Sequence, residues 1–229
     1  IFIYIFINQK IICEKKGIFM ITLENVSKSY NDINIFEHIQ LEFPENKKCF
    51  IEGINGSGKS VLLKLICGFS IPDEGKIKVN DYEIGKEFDF IQNAGICINS
   101  PEFFENLSGM ENLLEIAKIK KIVTEDKIYQ FCKLFELEED IEKKYKYYSL
   151  GMRQKLRIIQ AIMEEPKILI LDEPFDALDK KSNETLKVYL DDFIKKTGHF
   201  LIYTSHTKEY KDFADIIYSI DGRTIKRVT

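Results

Sequence analysis

Cysteine, histidine and long apolar runs are all scarce here, and each scarcity argues against a class of protein. The five cysteines (Cys13, Cys49, Cys67, Cys97, Cys132) are odd in number and far apart, with no CxxC pair. The three histidines (His38, His199, His206) form no ligand-like cluster. That spacing argues against a disulfide framework and a zinc site, and fits reduced cysteines in a core. There is no basic stripe. Thirty-three Lys and Arg are interleaved with 37 Asp and Glu, for a formal charge of −4, which argues against a nucleic-acid surface. The apolar opening, Ile1 to Ile7, is far short of the roughly 20 residues that span a bilayer. It also lacks the charged start and small-residue cleavage site of a signal peptide. No repeat, sustained heptad or low-complexity tract is present, so solenoids and long coiled coils are excluded.

What remains is a chain of 229 residues, enough for one well-buried domain or two small ones. With 45% hydrophobic and 31% charged residues, it is composed as a folded chain and not a disordered one. Position 1 is Ile, whereas Met20 opens Met-Ile-Thr-Leu-Glu-Asn-Val, which reads as a first strand. Back-translated, Glu14-Lys15-Lys16-Gly17 is an almost purely purine stretch just upstream of that methionine codon, as a bacterial ribosome-binding site is. Residues 1–19 are therefore expected to be an upstream leader or a disordered segment, and 20–229 a single domain.

From Met20, β-branched or aromatic runs at 21–26, 35–43 and 48–52 predict strands, and 75–84 alternates like another. The run at 48–52 leads into a glycine-rich turn and a helix from Lys59 to Cys67. From about 102 to 147 the spacing turns helical, rich in Glu and Lys. With a helix at about 151–163, this reads as a helical subdomain over about 102–163, inserted into an α/β core. A purely apolar strand (168–171), a helix (about 182–196) and a strand (about 199–204) follow. Continuous apolar strands separated by helices imply a mostly parallel sheet covered on both faces.

Gly53-Ile54-Asn55-Gly56-Ser57-Gly58-Lys59-Ser60 matches G-x-x-x-x-G-K-S between a strand and a helix. Glycines let the backbone curl so that successive N–H groups face an anion, and the helix N-terminus adds positive potential. Lys59 is expected to reach the β- and γ-phosphates of a nucleotide, and Ser60 to coordinate Mg²⁺. The strand Ile168 to Leu171 delivers Asp172 and Glu173 at its carboxyl end, where parallel sheets bind ligands. Asp172 is expected to hold Mg²⁺, and Glu173 to orient and deprotonate the attacking water.

From Met20 to Thr229 these residues resemble the ATP-binding cassette ATPases. Tyr148-Ser149-Leu150-Gly151-Met152-Arg153-Gln154-Lys155 is similar to the family's signature motif, Ala177-Leu178-Asp179 to its D-loop, and Thr204-Ser205-His206 to its switch-histidine segment. The resemblance implies a P-loop NTPase core with an antiparallel β subdomain near the N-terminus. It implies Tyr30 against adenine, Asn99 at the Mg²⁺ and water, and His206 at the γ-phosphate. It also implies a head-to-tail dimer in which Ser149, Gly151 and Asp179 of one protomer face the partner's ATP. Leu150 and Met152 replace a Gly and a Gln of the commonest signature and resemble a branch linked to bacitracin and lantibiotic export or immunity. Asn99 stands where that branch has Glu, and Val61 where a Thr contacts phosphate. The implied protein is the ATP-hydrolysing subunit of a transporter, at the cytoplasmic face of a bacterial plasma membrane. Its partners are a separate integral-membrane permease and a second nucleotide-binding domain, with no nucleic acid. The rival reading is a cassette ATPase acting on a non-membrane partner such as the ribosome.

Overall fold

A computed structural model of the chain describes residues 20–98, 103–205 and 210–228. The first strand is longer than its apolar run at 21–26: β1 spans Met20–Tyr30 and returns as β2, Ile33–Pro44, antiparallel to it. The turn between them is Asn31-Asp32, with φ of 48° and 63°. Two left-handed central residues match the twist of a tight hairpin, and Asn and Asp tolerate that region best after glycine. β4 (Glu74–Val79) pairs antiparallel with β1, and β5 (Tyr82–Glu83) with β4, giving a four-stranded sheet in the order β2-β1-β4-β5. The alternating run at 75–84 is thus two strands and not one. Asn80, at φ 56°, turns the chain between them.

The second sheet is mostly parallel. It holds β3 (Lys48–Glu52), β6 (Ala94–Cys97), β7 (Ile168–Leu171), β8 (Phe200–Thr204), β9 (Ile216–Asp221) and β10 (Thr224–Arg227) in the order β10-β9-β3-β8-β7-β6. Only β10 runs antiparallel to its neighbour. β6, β9 and β10 escaped the sequence reading. β6 is only four residues, Ala-Gly-Ile-Cys, too short to show a period.

Successive side chains of a strand leave by opposite faces, so each strand feeds two cores. Leu169, Leu171, Leu201 and Tyr203 face one apolar cluster. Ile168, Ile170, Phe200 and Ile202 face the other. The second cluster is completed by α1 (Lys59–Cys67) and the antiparallel sheet. The first is completed by α2 (Gly109–Lys120), α3 (Glu125–Leu134), α4 (Leu150–Ile162) and α5 (Lys180–Ile194). α2 opens with a capping box: Ser108 accepts from the Glu111 amide, and the Glu111 carboxylate accepts from the Ser108 amide at 2.6 Å. Between α3 and α4 the chain is a set of turns with one 3₁₀ turn at Tyr145–Tyr147, where the sequence had suggested continued helix. Glu136, at φ 53°, ends the helical run. β8 lies between β3 and β7 and runs parallel to both, so the phosphate loop and the carboxylates leave the same end of the sheet, one strand apart.

Candidate functional site

The loop after β3 is built for backbone contacts. Gly58 caps α1 at φ 100°, and a Cβ there would lie 2.9 Å from the Phe36 ring and 3.0 Å from Ile35. Both the conformation and the space therefore demand glycine. Gly56 also sits in the left-handed region, at φ 77°. Lys59 is buried and folds back so that Nζ donates to the carbonyls of Gly53 (2.8 Å) and Ile54 (3.3 Å). The Ser57 hydroxyl is buried with no partner among the described residues. A cradle of left-handed glycines, an unsatisfied hydroxyl and a cation bound only to carbonyls fits an anionic phosphate. Asn55 is exposed at the rim of the loop, and Val61 is half-buried in α1 against the second core.

β7 carries four fully apolar, buried residues and then Asp172. The Asp172 carboxylate is held from two sides. Ser60 Oγ donates to Oδ2 at 2.6 Å and Thr204 Oγ1 donates to Oδ1 at 2.6 Å. Its backbone amide donates to the Cys97 carbonyl at 2.7 Å, tying the position to β6. A hydroxyl and one carboxylate, with no group of three or more His, Cys, Asp or Glu side chains able to hold a metal among the described residues, fit Mg²⁺. That ion takes one or two protein oxygens and completes its shell with phosphate and water.

Glu173 stands beside it at φ 51°. A left-handed non-glycine residue costs roughly 1–2 kcal/mol, and this one also precedes Pro174. It is fixed on both sides. Its amide donates to Thr204 Oγ1 at 3.0 Å, while Gln154 Nε2 donates to the Glu173 carbonyl at 3.2 Å and the Pro174 carbonyl at 3.0 Å. Thr204 is completely buried and Gln154 nearly so. Neither was assigned a role from the sequence. Thr204 fell within the switch-histidine resemblance with no role of its own, and its closeness to Asp172 follows from the pairing of Leu171 with Tyr203.

Ser149 caps α4, accepting from the Met152 amide at 3.2 Å, and is itself exposed. A Cβ on Gly151 would approach the Ala177 carbonyl to 3.0 Å, so α4 lies close over residues 173–179. Asp179 caps α5 by accepting from the Ser182 amide at 2.8 Å, and Lys155 of α4 pairs with it at 3.4 Å. The Ser182 amide above all, with the Ser182 hydroxyl and Lys155, holds the Asp179 carboxyl down from 3.8 to about 2. Tyr30 belongs to a separate group on the antiparallel sheet. Its ring is partly exposed, its hydroxyl meets Ser70 at 2.8 Å, and Lys28 lies 5.0 Å from the ring centre. Asn99 and His206 lie outside the described residues, as do residues 1–19.

The buried cysteines are not part of this chemistry. Burial pushes Cys97, the nearest to the site, up to about 12.

Lys59, Ser60, Asp172, Thr204, Glu173 and Gln154 thus form one connected constellation, while Ser149, Gly151 and Asp179 gather on α4 and the start of α5.

Comparison with known proteins follows the same lines. The family model described as ABC transporter matches residues 36–176. The uncharacterized ABC transporter ATP-binding protein YybJ of Bacillus subtilis is 34% identical over 193 residues, 83% of this chain and 87% of that protein. The bacitracin transport ATP-binding protein BcrA of Enterococcus faecalis is 30% identical over 201 residues, 87% of this chain and 65% of BcrA. Among solved structures, the dimeric cassette MJ0796 superposes with a TM-score of 0.80 at 22% identity, over 91% of this chain and 99% of that one.

Proposed function

This chain belongs to the ABC transporter family of ATP-binding ATPases, and from that premise we propose that it hydrolyses ATP at the site joining the phosphate loop to Asp172 and Glu173, to drive a separately encoded membrane subunit. The observation that carries this reading is the continuous path from Ser60 through Asp172 and Thr204 to Glu173, which sets a phosphate cradle, a divalent-cation pair and a carboxylate side by side.

The loop amides and Lys59 bind the β- and γ-phosphates. To do so, Lys59 gives up its contacts with the Gly53 and Ile54 carbonyls for phosphate oxygens, a charge-assisted exchange. Ser60 Oγ and the Asp172 carboxylate would hold Mg²⁺, which would supply charge neutralisation at the phosphates. Glu173 accepts a hydrogen bond from a water in line with the γ-phosphate, then takes its proton as the water oxygen bonds the γ-phosphorus and the bond to the β–γ bridging oxygen breaks, releasing ADP and phosphate. One Thr204 hydroxyl serves both residues, donating to the Asp172 carboxylate and accepting from the Glu173 backbone amide.

Two cassettes are proposed to close head to tail, with Ser149 and Gly151 at the N-terminus of α4 presented to the partner's nucleotide. Tyr30 is proposed to stack on adenine, and Asn99 and His206 to contact the metal-bound water and the γ-phosphate. No helix among the described residues is long and apolar enough to cross a membrane. Similarity to BcrA and the Ser149-Leu-Gly-Met152 form of the signature favour an antimicrobial peptide as the transported substrate.

Affinity capture of a tagged Glu173→Gln variant with ATP and Mg²⁺ from detergent-solubilised cells tests the transport reading. A hydrophobic polytopic protein in stoichiometric amount is expected. Ribosomal proteins in its place would redirect the ATPase to another partner.

A further inference from the structure

We propose that Gln154 is a positioning residue for the hydrolytic carboxylate, and that Arg157 fixes the orientation in which it works. The inference rests on the assignment of Glu173 as the group that activates water.

Glu173 is held in a conformation its own side chain disfavours, and Pro174 after it has no amide to contribute to the turn. Two backbone carbonyls, those of Glu173 and Pro174, take donors from α4, and that of Glu173 also accepts from the Asp176 amide at 3.2 Å. Gln154 supplies both from one amide nitrogen, at 3.2 and 3.0 Å. Its oxygen faces the other way and accepts from Arg157 Nη1 at 3.4 Å, one helical turn along α4. Only one of the two amide orientations satisfies this arrangement, because a flipped amide would set oxygen against two carbonyls and nitrogen against a guanidinium. Glutamate at 154 carries no donor, and leucine removes the donor shared by both carbonyls, leaving the Glu173 carbonyl with the Asp176 amide. Arg157 is itself poorly satisfied: its Nε is buried with no partner among the described residues, so Gln154 is its recorded polar anchor.

The placement on α4 matters. Three residues before Gln154, the same helix carries Gly151 against the Ala177 carbonyl, and one residue after it carries Lys155 paired with Asp179. The first turns of α4 and residues 173–179 are therefore joined at three points. A shift of that helix displaces the Glu173 backbone with it, and the carboxylate moves relative to the phosphate cradle, which is held separately by α1 and β3.

The test uses the purified full chain, with ATP affinity, steady-state kcat and thermal midpoint measured on each variant. Gln154→Leu is expected to lower kcat about tenfold or more, since sub-ångström misplacement of a reacting group is costly, while the ATP Kd stays within about twofold. Arg157→Ala is expected to lower kcat by about threefold, and the double variant to be no slower than Gln154→Leu, because both act through one amide. Wild-type kcat in Gln154→Leu, or losses that add in the double variant, overturns the proposal. If Gln154→Leu does not fold, Arg157→Ala decides: reduced kcat at unchanged Kd supports the role, and unchanged kcat overturns it. Glu173→Gln is assayed in parallel. If it still turns over, the reading beneath this inference fails and the inference with it. If Glu173→Gln is inactive and Gln154→Leu is not impaired, only the positioning role is lost.

Discussion

Left-handed backbone occurs on both sides of the site, but in the phosphate loop it falls on glycine and at the carboxylates it does not. Gly56 and Gly58 take φ of 77° and 100°, whereas Glu173 and Ala177 take 51° and 60°. Glycine adopts that region without a steric cost, so the loop needs little outside help beyond the room that Phe36 and Ile35 leave at Gly58. Glu173 needs a carboxylate at the same kind of turn, and glycine cannot supply one. Its conformation is held instead by Thr204 and Gln154, 31 and 19 residues away in sequence. One half of the site is shaped by local composition, the other by hydrogen bonds that exist only after folding.

The comparison predicts its own ways of failing. Gly58→Ala is expected to have the largest effect on stability, about 2–3 kcal/mol, from a disfavoured φ combined with contact against Phe36. Chemical denaturation measures it, and a loss under 0.5 kcal/mol would mean the loop relaxes freely. Thr204→Val keeps the shape and removes the hydroxyl, leaving the Glu173 amide and one Asp172 oxygen without that partner. A loss of about 1–3 kcal/mol is expected, with a fall in kcat, because both groups it fixes belong to the chemistry. If valine costs stability but leaves kcat intact, Thr204 is structural only.

Asp179 tests the junction of α4 and α5. Its carboxyl is held below its ordinary value, so it contributes stability above about pH 4 that is lost as pH falls toward 2. Acid titration of stability is expected to show a steeper loss across that window in the native chain than in Asp179→Asn. Parallel curves would mean that the cap and the Lys155 pair add nothing. Ala177→Gly is the smallest change. Relief of the left-handed alanine opposes the added freedom of the unfolded glycine, so the net shift is expected to stay within about 1 kcal/mol. The contrast with Gly58→Ala, nearly the same substitution reversed, is the sharpest form of the comparison.

The same division decides what could be read from the sequence. Gly53 to Ser60 declares itself because its chemistry is contiguous, and Ile168 to Glu173 because four buried apolar residues end at two carboxylates. The parallel sheet followed from those continuous strands. The short β6, the strands β9 and β10, and the break of 75–84 at Asn80 carried too little period to be seen. Thr204 and Gln154 fall inside the switch-histidine and signature resemblances, but the contacts they make could not be read, for a different reason. A threonine ending a strand and a glutamine on a helix gain meaning only when β8 pairs with β7 and α4 packs over residues 173–179. Tyr30, Ser149 and Asp179 came from resemblance, and within one chain their side chains bond to Ser70, Met152 and Ser182. Their proposed contacts belong to a bound nucleotide and a second copy.

Steady-state phosphate release by Glu173→Gln, measured beside its ATP affinity, tests the central assignment most directly. The change keeps size and hydrogen-bonding capacity while removing the basic oxygen, and it leaves the backbone bonds to Thr204 and Gln154 in place. Turnover is expected to fall at least about a hundredfold, the lower end of what a general base contributes, with ATP still bound at near-native affinity. Turnover within a few-fold of native would contradict the account and place the activation of water on another group.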